Sequence, residues 1–148
     1  MSIIPSSEND GDSSTVLIVE DELIFALDLK QTLTDLGYRV LGIASSEGDA
    51  VRQILKHRPD LVLMDINLGT EESGIDVVRT LKPRIPDTNF MICTVYEEDE
   101  KIFDALRAGA NGYILKKSSP SKLIEAIGEL VDGGAPMNSQ IAMKVVTA

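Results

Sequence analysis

Four apolar runs deliver side chains able to do chemistry: Glu20 and Asp21 follow TVLIV, Asp65 follows LVLM, Thr94 closes NFMICT and Lys116 follows GYIL. A run such as Leu61 to Met64 is built to be buried on both faces. An unpaired buried carboxylate is costly, so an acid at its mouth needs a positive partner or a task. If the runs are strands of one sheet, the three carboxylates crowd one edge. Two unit charges ~5 Å apart at an effective dielectric near 20 repel by about 3 kcal/mol. That exceeds the ~0–1 kcal/mol returned by an exposed ion pair. A divalent cation offsets it, and oxygen-only ligands with positions left for water suit Mg²⁺. The residue types then describe an anionic phosphoryl site. Asp65 is a carboxylate nucleophile, Mg²⁺ and Lys116 neutralise the transferred group, and the Thr94 hydroxyl donates to a phosphoryl oxygen.

The elements that must position these groups alternate between two periods. Residues 15–19 read as a buried strand, and Leu23, Leu27 and Leu33 with their neighbours as a helix closed by Gly37. YRVLGIA (38–44) is a second strand. Ser46 is placed to cap a second helix with Asp49 three residues on, and Val51, Ile54 and Leu55 give it an apolar face until Pro59 stops it. LVLM is the third strand, GIDVVRTLK the third helix and NFMICT (89–94) the fourth strand. Ile102, Phe103 and Leu106 mark a fourth helix, GYIL (112–115) a fifth strand, and residues 119–131 a last helix with Ser119 at its cap and Pro120 at its first position. Strands apolar on both faces and joined through helices imply a parallel sheet covered on two sides. Five such units with right-handed crossovers give a doubly wound, flavodoxin-like α/β fold of order 2-1-3-4-5, with ligands expected beyond the carboxyl ends of strands one and three.

The bulk properties narrow the function classes. The 148 residues, 43% of them apolar, suit one domain with a real core, and a formal charge of −10 argues against an electrostatic grip on nucleic acid. A single cysteine, Cys93, excludes an internal disulfide and a thiolate metal site and fits a reducing compartment. The apolar runs fall short of a membrane span and the N-terminus lacks a signal-peptide pattern, so a cytoplasmic protein with no membrane partner is expected. Residues 1–13 read as a flexible tail, 14–133 as the domain, and 134–148 as a linker opening a short C-terminal helix.

The set Glu20-Asp21, Asp65 in LVLMDINL, Thr94 in ICTVY and Lys116 in AGANGYILKK resembles the receiver domain of two-component response regulators, a CheY-like fold. The C-terminal half is similar to the NarL/LuxR type, whose receivers precede a helix-turn-helix domain. The resemblance implies that Asp65 accepts phosphate from a histidine kinase or phosphotransfer protein. It implies that Asp21, Asp65 and the backbone carbonyl of Asn67 bind Mg²⁺, with Glu20 acting through water. Thr94 and Lys116 would hold the phosphoryl oxygens, Tyr113 would be the switch aromatic, and helix four, strand five and helix five would form the output surface, which could carry a homodimer. DNA would be contacted only through a domain not present in this chain. Such a module signals rather than turning over substrate. Three departures stand out: Gly69 replaces a usual Pro, the segment 69–73 (GTEES) lengthens the loop before Gly74, and Lys117 replaces the Pro that often follows the lysine.

Blander readings attach to each residue. Asp65 alone is a turn residue, Glu20-Asp21 the acidic start of a helix, Thr94 a strand former and Lys116 surface charge. Their joint occurrence favours the site. Tyr96 competes with Tyr113 for the switch role, Cys93 reads as a small core residue, His57 as an exposed helix end and residues 97–101 (EEDEK) as a solvated helix start. Two rival functions are an aspartate-dependent phosphatase of the haloacid-dehalogenase kind and a stand-alone receiver acting by protein contact. The phosphatase would need an acid two positions after Asp65, where Asn67 stands. A nucleotide or flavin binder would need a glycine-rich loop after strand one, where VEDELI stands instead.

Overall fold

The computed structural model describes residues 14–70 and 73–134. The expected tail at 1–13 and all but the first residue of the linker at 134–148 lie outside them, as do Glu71 and Glu72 of the 69–73 loop. The elements are β1 (Thr15–Val19), α1 (Leu23–Asp35), β2 (Arg39–Ala44), α2 (Glu47–His57), β3 (Leu61–Met64), α3 (Ser73–Leu81), β4 (Asn89–Thr94), α4 (Asp99–Ala108), β5 (Gly112–Leu115) and α5 (Pro120–Val131). The five strands form one parallel sheet of order β2-β1-β3-β4-β5, as expected from the sequence.

The period-2 alternation of each strand feeds two apolar layers. Leu17, Val19, Val62, Met64, Phe90, Ile92, Tyr113 and Leu115 pack with α2, α3 and α4. Val16, Ile18, Leu61, Leu63, Met91, Cys93 and Ile114 pack with α1 and α5. Both faces are therefore covered, which is why the strands carry no polar alternation. The caps are local and legible: Ser46 accepts from the Asp49 backbone N–H, Ser119 accepts from that of Lys122, and Pro120 opens α5.

Three details differ from the sequence reading. On α1 the buried residues are Ala26, Leu29 and Leu33, whereas Leu23 and Leu27 are exposed, because the face set by positions i, i+3 and i+7 from Ala26 is the one that meets the sheet. His57 is half-buried in the last turn of α2 rather than exposed. Lys101, inside the charged run, is buried with its ammonium 5.4 Å from the centre of the Tyr96 ring.

The lengthened loop after β3 has a defined frame at both ends. Gly69 sits at φ +106°, a conformation closed to the proline usual in the family. The Ser73 hydroxyl accepts from Leu68 N–H and donates to the Thr70 carbonyl, each at 2.8 Å, and is buried in doing so. Gly74 then passes so close to β3 that an added Cβ would lie 2.0 Å from the Asp65 carbonyl oxygen. The glycine is a requirement of that approach. The bond between Lys116 and Lys117 is trans, like every peptide bond among the described residues.

Candidate phosphoryl and metal site

Backbone hydrogen bonds extend the sheet ladder past the strand ends and so aim the functional side chains. Glu20 N–H donates to the Ala44 carbonyl (2.9 Å), Asp65 N–H to the Val19 carbonyl (3.0 Å) and Lys116 N–H to the Thr94 carbonyl (2.8 Å). Each residue is thereby fixed to the neighbouring strand at the carboxyl edge. β1 and β3 lie side by side where the chain reverses direction through the sheet, which is where this architecture opens a crevice.

The carboxylates of Glu20, Asp21 and Asp65 offer oxygens within 4.8 Å of one another. Glu20 and Asp65 are buried and Asp21 is exposed. Lys116 reaches into this group. Its Nζ lies 2.8 Å from Glu20 Oε1, 3.1 Å from Asp65 Oδ2 and 2.6 Å from Glu22 Oε1. The Phe25 ring backs the amine at 4.8 Å. Three hard oxygen donors crowded at a sheet edge, with one side open to solvent through Asp21, are a donor set that fits Mg²⁺.

The electrostatics follow from burial opposed by pairing. Desolvation pushes the Glu20 carboxyl up to about 7, against the opposing pull of its hydrogen bond with Lys116. Burial draws the Lys116 amine down, yet its hydrogen bonds with Glu20, Glu22 and Asp65 outweigh this and hold it above the usual lysine range. The amine therefore stays charged.

Thr94 is fully buried and, among the described residues, its Oγ1 is the buried side-chain oxygen with no hydrogen-bond partner. Such an atom in a native core calls for an explanation, and a ligand acceptor supplies one. Tyr113 is fully buried, and its hydroxyl donates to the Tyr96 carbonyl at 2.8 Å. Asn67 is half-buried; its Oδ1 accepts from Gly69 N–H at 3.0 Å and its Nδ2 donates to the Tyr96 hydroxyl at 3.3 Å. Both tyrosines thus bear on one segment, Tyr113 through the Tyr96 backbone and Tyr96 through Asn67. Cys93 lies under the site in the α1/α5 layer, and burial pushes its thiol up to about 12, as suits a core residue.

Two contributors were missed in the sequence. Glu22 is the third acid of the run Glu20-Asp21-Glu22, so its type was visible, but its reach to a lysine 94 positions away was not. Phe25 is one turn into α1, with nothing local to tie it to Lys116.

A family model described as response regulator receiver domain matches residues 16–128. The chain is 32% identical over 115 residues to the chemotaxis protein CheY of Thermotoga maritima, covering 78% of this chain and 95% of that one. It is 31% identical over 109 residues to the oxygen regulatory protein NreC of Staphylococcus haemolyticus, covering 74% of this chain and 48% of that protein. It thus spans nearly all of the chemotaxis protein and about half of the regulatory one. Among solved structures, a LuxR-family two-component response regulator from Aurantimonas superposes with a TM-score of 0.84 at 27% identity, covering 91% of this chain and 96% of that one.

Proposed function

The chain belongs to the response regulator receiver family, as the receiver domain of a two-component system, and from that premise we propose that Asp65 is its phosphoacceptor. The observation that carries the assignment is the meeting of Asp65 Oδ2 with the Lys116 amine at 3.1 Å, at the sheet edge where β4 ends in Thr94 with its unpartnered hydroxyl. A carboxylate oxygen of Asp65 attacks the phosphorus of a phosphohistidine on a kinase or phosphotransfer protein. The P–N bond breaks, the imidazole nitrogen leaves with the electron pair, and an aspartyl phosphate remains. Lys116 and Thr94 donate to the phosphoryl oxygens, so the buried Thr94 hydroxyl, unpartnered among the described residues, gains an acceptor.

Asp21, Asp65 and the backbone carbonyl of Asn67 would hold Mg²⁺, with Glu20 acting through water. Bound there, the cation supplies charge neutralisation on the transferred group. The chain's own part is to hold the acids together on the β1/β3 edge and to keep Lys116 protonated between them.

Phosphate adds roughly −1.5 to −2 charge, enough to bias a segment that has two arrangements. The segment is the β4–α4 connection, which the Tyr113 hydroxyl now fixes through the Tyr96 carbonyl. Thr94 drawn toward a phosphoryl oxygen pulls this connection, and the α4–β5–α5 surface carries the change to a partner, a second copy or a DNA-binding domain. The module acts as a signalling phosphoacceptor rather than as an enzyme of turnover, in the cytoplasm and under a cognate kinase. The phosphatase alternative is disfavoured because Asn67 cannot protonate a leaving group.

The test is incubation with acetyl phosphate and Mg²⁺ followed by intact-mass analysis. One phosphate is expected, stable in acid, released by base and absent in Asp65→Asn. Phosphate on any other residue overturns the assignment.

A further inference from the structure

Glu22 occupies the N-cap position of α1, where a shorter Ser, Thr, Asp or Asn ordinarily accepts from the first turn of the helix. Its side chain makes no such bond. It reaches instead across the crevice to Lys116, at the shortest of the three contacts that the amine makes, 2.6 Å. Meanwhile its backbone N–H donates to Glu20 Oε2 at 3.0 Å, which holds the neighbouring acid in place.

An ammonium has three N–H donors. Glu22 Oε1 and Asp65 Oδ2 accept from two of them, and Glu20 Oε1 pairs with the charge at 2.8 Å. A phosphoryl oxygen that approaches the amine therefore competes with three carboxylates already within 3.1 Å of it. Asp65 is the acceptor itself, and the Glu20 side chain is 3% exposed and held by a second hydrogen bond. The Glu22 side chain is 65% exposed, so water replaces the amine for it at little cost.

We infer that Glu22 is a latch on Lys116, a positioning residue that competes with the phosphoryl group for the amine and so lowers the affinity of the unmodified site for a phosphoryl-like anion. This rests on Asp65 and Lys116 serving a phosphoryl group as proposed above. An exposed ion pair of this kind corresponds to an affinity difference of up to about fivefold. The direct 2.6 Å contact makes the effect one of contact rather than of charge alone, and the two are separable. Aspartate at this position keeps the charge but is shorter by one carbon–carbon bond, ~1.5 Å, and is a good helix N-cap, so it would turn back to α1.

The experiment is titration of the full chain with beryllium trifluoride anion in the presence of Mg²⁺, read by ¹⁹F NMR, on wild type, Glu22→Gln and Glu22→Asp, with urea midpoints as the folding control. The ¹⁵Nζ signal of Lys116 without the anion reports whether the latch has opened. Both variants are expected to bind about three- to fivefold more tightly than wild type and to show faster amine exchange with water. Unchanged or weaker binding in Glu22→Gln overturns the latch. Tighter binding in Glu22→Gln with wild-type behaviour in Glu22→Asp overturns it too, because a field effect alone would then suffice. A failure of the underlying assignment is distinct: wild type itself does not bind the anion, or Asp65→Asn binds it equally well, and the latch falls with it.

Discussion

Replacing Lys116 by Met keeps most of the stem and removes the one cation among the acids. The amine lies 2.8 Å from Glu20 Oε1 and 3.1 Å from Asp65 Oδ2, both on side chains no more than 10% exposed. At an effective dielectric near 20 these distances correspond to gross attractions of ~6 and ~5 kcal/mol. Desolvation of the three groups offsets most of that, and the Glu22 contact, two-thirds exposed, is left out. Truncating one partner of a buried ionic cluster costs about 3–5 kcal/mol, because the remaining charges stay buried and uncompensated. That is the loss expected for Lys116→Met at pH 8 without divalent ions, read from urea denaturation followed by circular dichroism.

The loss should depend on pH with a definite sign. Burial pushes the Glu20 carboxyl up to about 7 in the fold from its ordinary value of 4.5, so the folded state binds more protons between those values. Stability from this group is present below the lower value and declines as pH rises through the upper one. Without the amine, whose hydrogen bond lowers this value, the window moves upward, so the gap between variant and wild type should narrow toward pH 5.5. Millimolar Mg²⁺ at pH 8 should narrow it as well, since the acids left without the amine bind the cation more tightly than in wild type, and each tenfold in affinity adds about 1.4 kcal/mol to the variant alone. A variant within ~0.5 kcal/mol of wild type at pH 8 without Mg²⁺, the size of an ordinary surface substitution, would refute the view that the amine balances the cluster.

Gly74→Ala should lower stability by at least ~1–3 kcal/mol, because the added methyl would meet the Asp65 carbonyl oxygen at 2.0 Å and the Ile66 Cα at 3.0 Å, both backbone atoms; an unchanged urea midpoint would contradict that close approach. Tyr113→Phe should cost about 1–2 kcal/mol by removing the donor to the Tyr96 carbonyl, and a neutral result in the same assay would mean that the hydroxyl does not hold the β4–α4 connection. With its thiol pushed up by burial to about 12 from an ordinary value of 9.0, Cys93 carries roughly a thousandfold less thiolate at pH 8, so Ellman's reagent should label it only on unfolding; rapid labelling of the native chain would exclude its burial. Asp21→Asn should weaken Mg²⁺ binding tenfold or more while the far-ultraviolet spectrum persists, and calorimetry showing equal affinity would remove Asp21 from the donor set.

The amino-acid sequence by itself determined what short-range forces decide. Unbroken apolar runs, serine caps and the proline at the start of α5 located the elements, because strand period, cap hydrogen bonds and ring geometry act within a few residues. Handedness of the crossovers then left a handful of strand orders, from which the likeness to the flavodoxin-like fold selected the one found, bringing Glu20, Asp21, Asp65, Thr94 and Lys116 to a common edge. Only the tertiary structure decided which leucines of α1 face the sheet, why Lys101 is buried, and that Glu22 and Phe25 converge on Lys116. Those outcomes depend on distances between segments far apart in the chain, and a carboxylate carries the same local signal whether it caps its own helix or crosses a crevice to an amine. The packing of the whole sheet sets that distance, and no local pattern encodes it.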